Sequence, residues 1–324
     1  MATIKEIAEM VGVSNATVSR VLNYDEGISV SPETRTAIFQ AAEKIGYKKK
    51  VIYPKIENVI LLYWIEGKDE LEDVYYQSIR RELLKQAKKT NIQLQVITRK
   101  EGLEAIPQEA AAFVAIGQFE RRELRKLYKR GVFIDSSPDE KLFDSVRPNL
   151  DSFVTQMVDY FVENGYKNIG FVGGKDRNLD TGMPSMDVRE WSFRQSMEYY
   201  GLLDEKYIFI TEEYTVSEGY RAGKKLAEEG RVPKAVCVAS DTLAVGLLQA
   251  FNEFGIQIPN QAAVFSINDV SVARYVSPPL TTFHIDVPIL CETALDLLRG
   301  RVLHGGKITK AVFINGIPVF RKSC

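Results

Sequence analysis

Two hydrophobic periods divide the chain. In the first fifty residues apolar side chains recur every three or four positions, whereas from residue 59 onward they gather in short runs separated by amphipathic stretches. Ile4, Ile7, Ala8 and Val11 fall at i, i+3, i+4 and i+7, which gives a first helix one buried face. Thr3-Ile4-Lys5-Glu6 reads as the capping box that starts it, since hydroxyl and carboxylate can each satisfy a backbone donor, and Gly12 ends it. A second helix is predicted after Ser14, with Val18, Val21 and Leu22 on one side. Ser31-Pro32 begins a third, whose stripe is Ile38, Ala41, Ala42 and Ile45 and whose end is Gly46. Burying Val18, Val21 and Leu22 turns Asn15, Ala16, Ser19 and Arg20 outward. Short helices joined by a tight glycine turn, with polar groups and an arginine on the second, match a helix-turn-helix. An arginine there can donate two hydrogen bonds to guanine in the major groove. The same periodicity also describes an ordinary solvated helical hairpin.

In the second part, VILLYW (59–64), IQLQVI (92–97), AAFVAIG (111–117) and GVFID (131–135) read as one set of strands. NIGFVG (168–173), YIFIT (207–211), KAVCVAS (234–239) and AAVFSI (262–267) read as another. Helical patterns at 76–90, 151–164, 217–229 and 242–254 lie between them. Strands alternating with helices imply βαβ units and parallel sheets covered on both faces. The fold class expected is therefore α/β: a small all-α helix-turn-helix head followed by a two-lobed parallel α/β domain. The expected boundaries are 1–48 for the head, 49–58 for a linker and 59–324 for the body. Within the body, one lobe spans 59–148 plus 285–313 and the other 149–284 plus 314–324.

Ligands of parallel α/β lobes bind beyond the carboxyl ends of strands, here in the crevice between lobes. Asp135, Ser240 and Asn268 end strands, Arg189 opens a helical segment, and Tyr214 lies in the loop beyond YIFIT. Charge-assisted donors and acceptors with an aromatic wall suit the hydroxyls and C–H face of a sugar. Tyr75 and Tyr76 would wall the cleft in the first lobe, with Trp64 a weaker candidate. Asp135 could instead cap a loop, and Asp241 reads better as a helix N-cap than as a ligand contact.

Charge is balanced, with 42 Lys and Arg against 43 Asp and Glu. No apolar run approaches the roughly 20 residues of a membrane span, and the start lacks a basic flank before an apolar block. Three scattered cysteines fit a reducing cytoplasm. With two histidines, no metal cluster, no G-x-S-x-G elbow and no phosphate loop after Gly173-Gly174, neither an enzyme nor a cofactor is indicated.

The run TIKEIAEMVGVSNATVSRVLN, then VSPETRTAIFQAAEKIGY, closely resembles the head of the LacI/GalR family of bacterial repressors. SINDVSVARYVSPPLTTFHID extends the resemblance across the body, whose regulatory domain in that family is periplasmic-binding-protein-like. Among relatives it looks most like repressors of galactose or β-galactoside operons. The resemblance implies base reading by Asn15, Ala16 and Arg20 and phosphate contacts by Thr3, Ser14, Thr17, Ser19 and Asn23. It places effector contacts at Asp135, Arg189, Tyr214, Ser240 and Asn268, although Asn268 stands where aspartate is frequent and Ser240 where asparagine is. Lys48, Lys49 and Lys50 would grip phosphate beside the groove. Ile56 falls where the family's hinge helix carries a leucine that wedges into the minor groove. Pro54 within that stretch disfavours a helix, so residues 50–57 are expected to be extended or irregular off DNA. The partners implied are operator DNA, a small sugar and a second copy of the chain, with no membrane. The alternative within the family is a catabolite-type regulator that answers to a phosphorylated carrier protein.

Overall fold

The computed structural model describes residues 2–324 apart from Tyr24, Glu26, 48–52, 66–73, Lys126, Tyr128, Lys129, 178–180 and Gly182. Two compact units emerge, Met1–Pro54 and Lys55–Cys324. Lys48, Lys49 and Lys50 lie outside the described residues.

The first unit is built from α1 (Ile4–Val11), α2 (Asn15–Leu22) and α3 (Pro32–Lys44). Both halves of the Thr3–Glu6 capping box are present. Gly12, at φ 73°, takes the left-handed conformation that ends α1 and turns the chain into α2. Ser14 and Ser31 cap α2 and α3 by accepting from the backbone N–H three residues on. Ile7, Val18, Val21 and Ile38 are fully buried and form the centre of the small core.

In the second unit the chain first lays down β1 (Ile56–Trp64), α4 (Val74–Lys89), β2 (Ile92–Thr98), β3 (Ala112–Gly117), a short α5 (Arg121–Leu124), β4 (Arg130–Ile134) and β5 (Asp144–Pro148). It then crosses over to α6 (Leu150–Glu163), β6 (Ile169–Gly174), the short β7 (Asp176–Arg177) and β8 (Pro184–Ser185), and α7 (Val188–Tyr199). The same lobe continues with β9 (Ile208–Thr211), α8 (Val216–Glu228), β10 (Ala235–Val238), α9 (Asp241–Glu253), β11 (Ala263–Asn268) and β12 (Thr281–His284). Last come α10 (Val287–His304), β13 (Ala311–Ile314) and β14 (Ile317–Val319).

One six-stranded sheet has the order β13-β5-β4-β3-β1-β2 and the other β14-β12-β11-β10-β6-β9. All neighbours in the two sheets are parallel except β12 and β14. The chain passes between lobes after β5, after β12 and after β13, so three short connections join them. Central strands are buried throughout, as in β3, because helices cover both faces. Lobe contacts are close in places: a Cβ at Gly246 of α9 would stand 1.9 Å from the Val216 carbonyl oxygen of α8, so these two helices pack through glycine. No helix among the described residues is long and apolar enough to cross a membrane.

The body begins three residues earlier than the apolar run indicates. Ile56 opens β1, pairs with Ile92 and is 3% exposed within the body's core. The exposed Glu57 and Asn58, the latter at φ 59°, form an irregularity that breaks the run and conceals the strand start. This corrects the expectation for Ile56. A side chain packed in the core of the second unit is not available as a minor-groove wedge unless β1 gives up its first pair. Of the stretch expected to be irregular, 53–55 lies outside helix and strand, 56–57 is strand, and 50–52 is outside the described residues.

Candidate effector cleft and nucleic-acid interface

On the first unit, burial of Val18 and Val21 leaves Asn15, Ala16 and Arg20 exposed on α2. Thr3, Ser14 and Asn23 are exposed as well, with Thr17 and Ser19 half-buried beside them. Ser14 and Thr17 share a hydroxyl hydrogen bond at 2.8 Å, and Asn23 donates to Ser19 at 3.4 Å. Arg20 is tethered: its Nε donates to Asp25 Oδ2 at 2.7 Å. That bond, with one from the Gly27 N–H, holds the Asp25 carboxyl below its usual range.

In the second unit the strand ends of both lobes face a cleft of about 990 Å³. All seven predicted effector residues, Tyr75, Tyr76, Asp135, Arg189, Tyr214, Ser240 and Asn268, line it. From the first lobe, Asp135 follows β4 at φ 68°, a left-handed conformation that aspartate tolerates better than most residues. Tyr75 and Tyr76, at the start of α4, donate to its two carboxylate oxygens at 2.8 and 3.0 Å. Burial raises the Asp135 pKa, and those bonds together with the Arg189 charge offset only part of that rise.

The second lobe contributes a denser network. Asp187 caps α7 and chelates Arg189, accepting from Nε at 2.8 Å and from a terminal nitrogen at 2.7 Å. The other terminal nitrogen donates to the Ala239 carbonyl at 2.8 Å, which anchors the guanidinium to the end of β10. Tyr214 lies beneath it, with the guanidinium 4.6 Å from the ring centroid and a 2.8 Å bond to the hydroxyl. Burial alone would lift Asp187 and lower Arg189. The Arg189 charge and its hydrogen bonds outweigh burial at Asp187, and Tyr214 together with Asp187 outweighs it at Arg189, so Asp187 sits below and Arg189 well above the ordinary value.

Strand ends and aromatic walls do not point to Asp187, although an aspartate two residues before Arg189 at a helix start is a recognisable capping signal. The reading of Asp241 is corrected. Ser240 is the cap of α9, accepting from Leu243 N at 3.3 Å, while Asp241 is fully buried. Asp241 accepts from Thr282 Oγ1 at 2.7 Å, from the Val270 N–H at 2.8 Å and from the Ser266 hydroxyl. It thereby holds the loop after β11 under Asn268. Asn268 itself has φ 121°, a rare value for a residue with a side chain, at the rim of the cleft.

Residues 3–50 match the profile of the bacterial regulatory proteins of the lacI family, and residues 158–324 that of a periplasmic binding protein-like domain. The chain is 45% identical over 328 residues to the HTH-type transcriptional regulator GanR of Bacillus subtilis (strain 168), covering 100% of this chain and 99% of that one. It belongs to the lacI family. The HTH-type regulator LacR of Lactobacillus helveticus is 36% identical over 331 residues, with 100% and 98% covered. The HTH-type regulator GalR of Lacticaseibacillus casei is 32% identical over 331 residues, with 100% and 99% covered. In fold, this lacI-family chain superposes on a transcriptional regulator CelR–cellobiose complex with a TM-score of 0.71 at 20% identity, both chains covered in full. A Lac repressor bound to ONPG gives 0.68 at 18% identity, with 100% and 99% covered. Its family is one of DNA-binding transcription regulators, not of enzymes.

Proposed function

We propose that this lacI-family regulator is a cytoplasmic repressor of a sugar-utilisation operon, released from its operator when a neutral sugar of galactose or β-galactoside type enters the cleft. The observation that carries this reading is the facing pair of constellations, Asp135 held by two tyrosines and Arg189 held by Asp187 over Tyr214. Each offers oriented hydrogen-bonding groups beside an aromatic ring, as a pyranose requires. The names of the relatives GanR, LacR and GalR supply the sugar class.

Charge supports a neutral ligand over a sugar phosphate. Asp135, Asp151, Asp176, Asp187, Glu212 and Glu213 line the cleft against Arg147, Lys175 and Arg189. Each of those cations already has an acid: Glu140, Glu212 and Asp187 respectively. A built cleft also favours a free sugar over control by a phosphorylated carrier protein.

On the head, Asn15, Ala16 and Arg20 read base edges and Thr3, Ser14, Thr17, Ser19 and Asn23 contact phosphates, with Lys48, Lys49 and Lys50 adding charge beside the groove. A single small head reads few bases, so a homodimer binds two half-sites. Sugar binding shifts the lobes toward an arrangement that weakens operator binding, a coupling typically of about 1–3 kcal/mol. Calorimetric titration with galactose, lactose, allolactose and sugar phosphates tests the effector class. Saturable binding of the neutral sugars is expected, and binding of the phosphates alone would contradict it.

A further inference from the structure

Beside the main cleft, in the first lobe, lies a second pocket of about 380 Å³ at the ends of β1 and β3. Trp64 forms part of its wall and is stacked on Phe119, with ring centroids 5.0 Å apart. Leu103 and Leu127 add apolar surface, while Glu104, Glu120, Glu123 and Arg99 supply polar groups. Gln118 lines both this pocket and the cleft.

The backbone explains how the two are joined. Gly117 takes φ 113° and packs so tightly that a Cβ would stand 2.7 Å from the Trp64 carbonyl oxygen. The sharp turn sends Phe119 inward against Trp64 and leaves Gln118 exposed between the cavities. Ser136, next to Asp135, donates to the Gly117 carbonyl at 2.8 Å, so the loop that holds the cleft carboxylate is pinned to the loop that opens the pocket. The backbone of Glu123 is engaged within α5, whereas its carboxylate makes no hydrogen bond or ion pair with the described residues and can accept from hydroxyls. The cleft alone, at about 990 Å³, stands at the upper end of the roughly 300–1,000 Å³ usual for small-ligand sites.

We infer that the Trp64 pocket is a second sugar subsite and that the effector is an oligosaccharide of at least two residues, one held between Asp135 and Arg189 and the next reaching past Gln118 to Trp64 and Glu123. This rests on the cleft reading above and adds the size of the ligand to it. Carboxylates beside an aromatic edge suit a neutral sugar for the same reason they do in the cleft.

The chain has two tryptophans, and Trp191, 51% exposed on α7, lines neither cavity. In a Trp191→Phe variant the emission of Trp64 is read alone while galactose, glucose, lactose and cellobiose are titrated. We expect one disaccharide to bind at least tenfold tighter than either monosaccharide and to shift Trp64 emission, with the monosaccharides leaving it unchanged. Glu123→Gln should remove most of that advantage and leave monosaccharide affinity intact. Equal affinity for mono- and disaccharides, with no change in Trp64 emission and no effect of Glu123→Gln, would overturn the subsite while leaving the cleft reading standing. Sugar binding unaffected by Arg189→Ala, or no sugar binding at all, would overturn the cleft reading and the subsite with it.

Discussion

Asp25, two residues past the Asn23 cap of α2, accepts the Nε hydrogen of Arg20 at 2.7 Å. The free head therefore stores its arginine in a surface ion pair that water and salt weaken. Base reading by Arg20 predicts that Arg20→Ala lowers operator affinity by about 1–3 kcal/mol and relaxes specificity at one base pair of each half-site. Binding to an operator and to random duplex should be compared at fixed salt, because equal losses on both would make Arg20 a phosphate contact.

Charge alone does not do the work of Arg189. Its guanidinium serves Asp187, the Ala239 carbonyl and Tyr214 at once, and a lysine ammonium cannot reproduce that fork. Arg189→Lys should weaken sugar binding by tenfold or more while operator affinity without sugar stays within about twofold, the former read by calorimetry. Unchanged sugar affinity in this variant would remove Arg189 from the site.

Burial pushes the Asp241 carboxyl from the ordinary 3.8 up to about 7, only partly countered by its hydrogen bonds. The folded protein thus keeps a proton that the unfolded chain releases, and this favours the folded state at low pH. Across the window from about 4 to about 7 the contribution is lost as pH rises, a total on the order of 4 kcal/mol. Asp241→Asn should flatten the difference in urea stability between pH 5 and pH 8 relative to the parent protein. An identical pH profile in both would show that Asp241 is ionised throughout.

Ile56 is placed to test where the body begins. As a buried residue paired with Ile92, Ile56→Ala should destabilise the body by about 2–3 kcal/mol, toward the low end for large-to-small core changes because the site is at a strand end. Operator bending by the folded variant should be unchanged. Gel-shift bend analysis that finds the bend abolished at full stability would restore the wedge.

Much of this was legible in the sequence because its signals are local. Thr3, Ser14 and Ser31 announce helix starts, and the apolar runs of β1, β3 and β10 need no partner to be recognised. The strands that escaped depend on distant residues. β5 reads DSVRP, with acid and base in the run, yet Asp144 is 1% exposed because Arg301 grips both its carboxylate oxygens at 2.6 Å from α10. No local pattern shows that pair. The cleft residues at strand ends were found by position, but Asp187 acts through Arg189, and the burial of Asp241 depends on hydroxyls 25 and 41 residues away.

A sugar held between Asp135 and Arg189 should release operator DNA. The most direct test is fluorescence anisotropy of a labelled operator, selected from a random duplex pool, titrated with protein in the presence and absence of saturating β-galactoside. The sugar should weaken operator binding by about 5–150-fold, as typical coupling energies imply, and Arg189→Ala should abolish the effect while binding the operator normally. Operator affinity that is indifferent to every sugar bound in calorimetry, or release that survives Arg189→Ala undiminished, would contradict it.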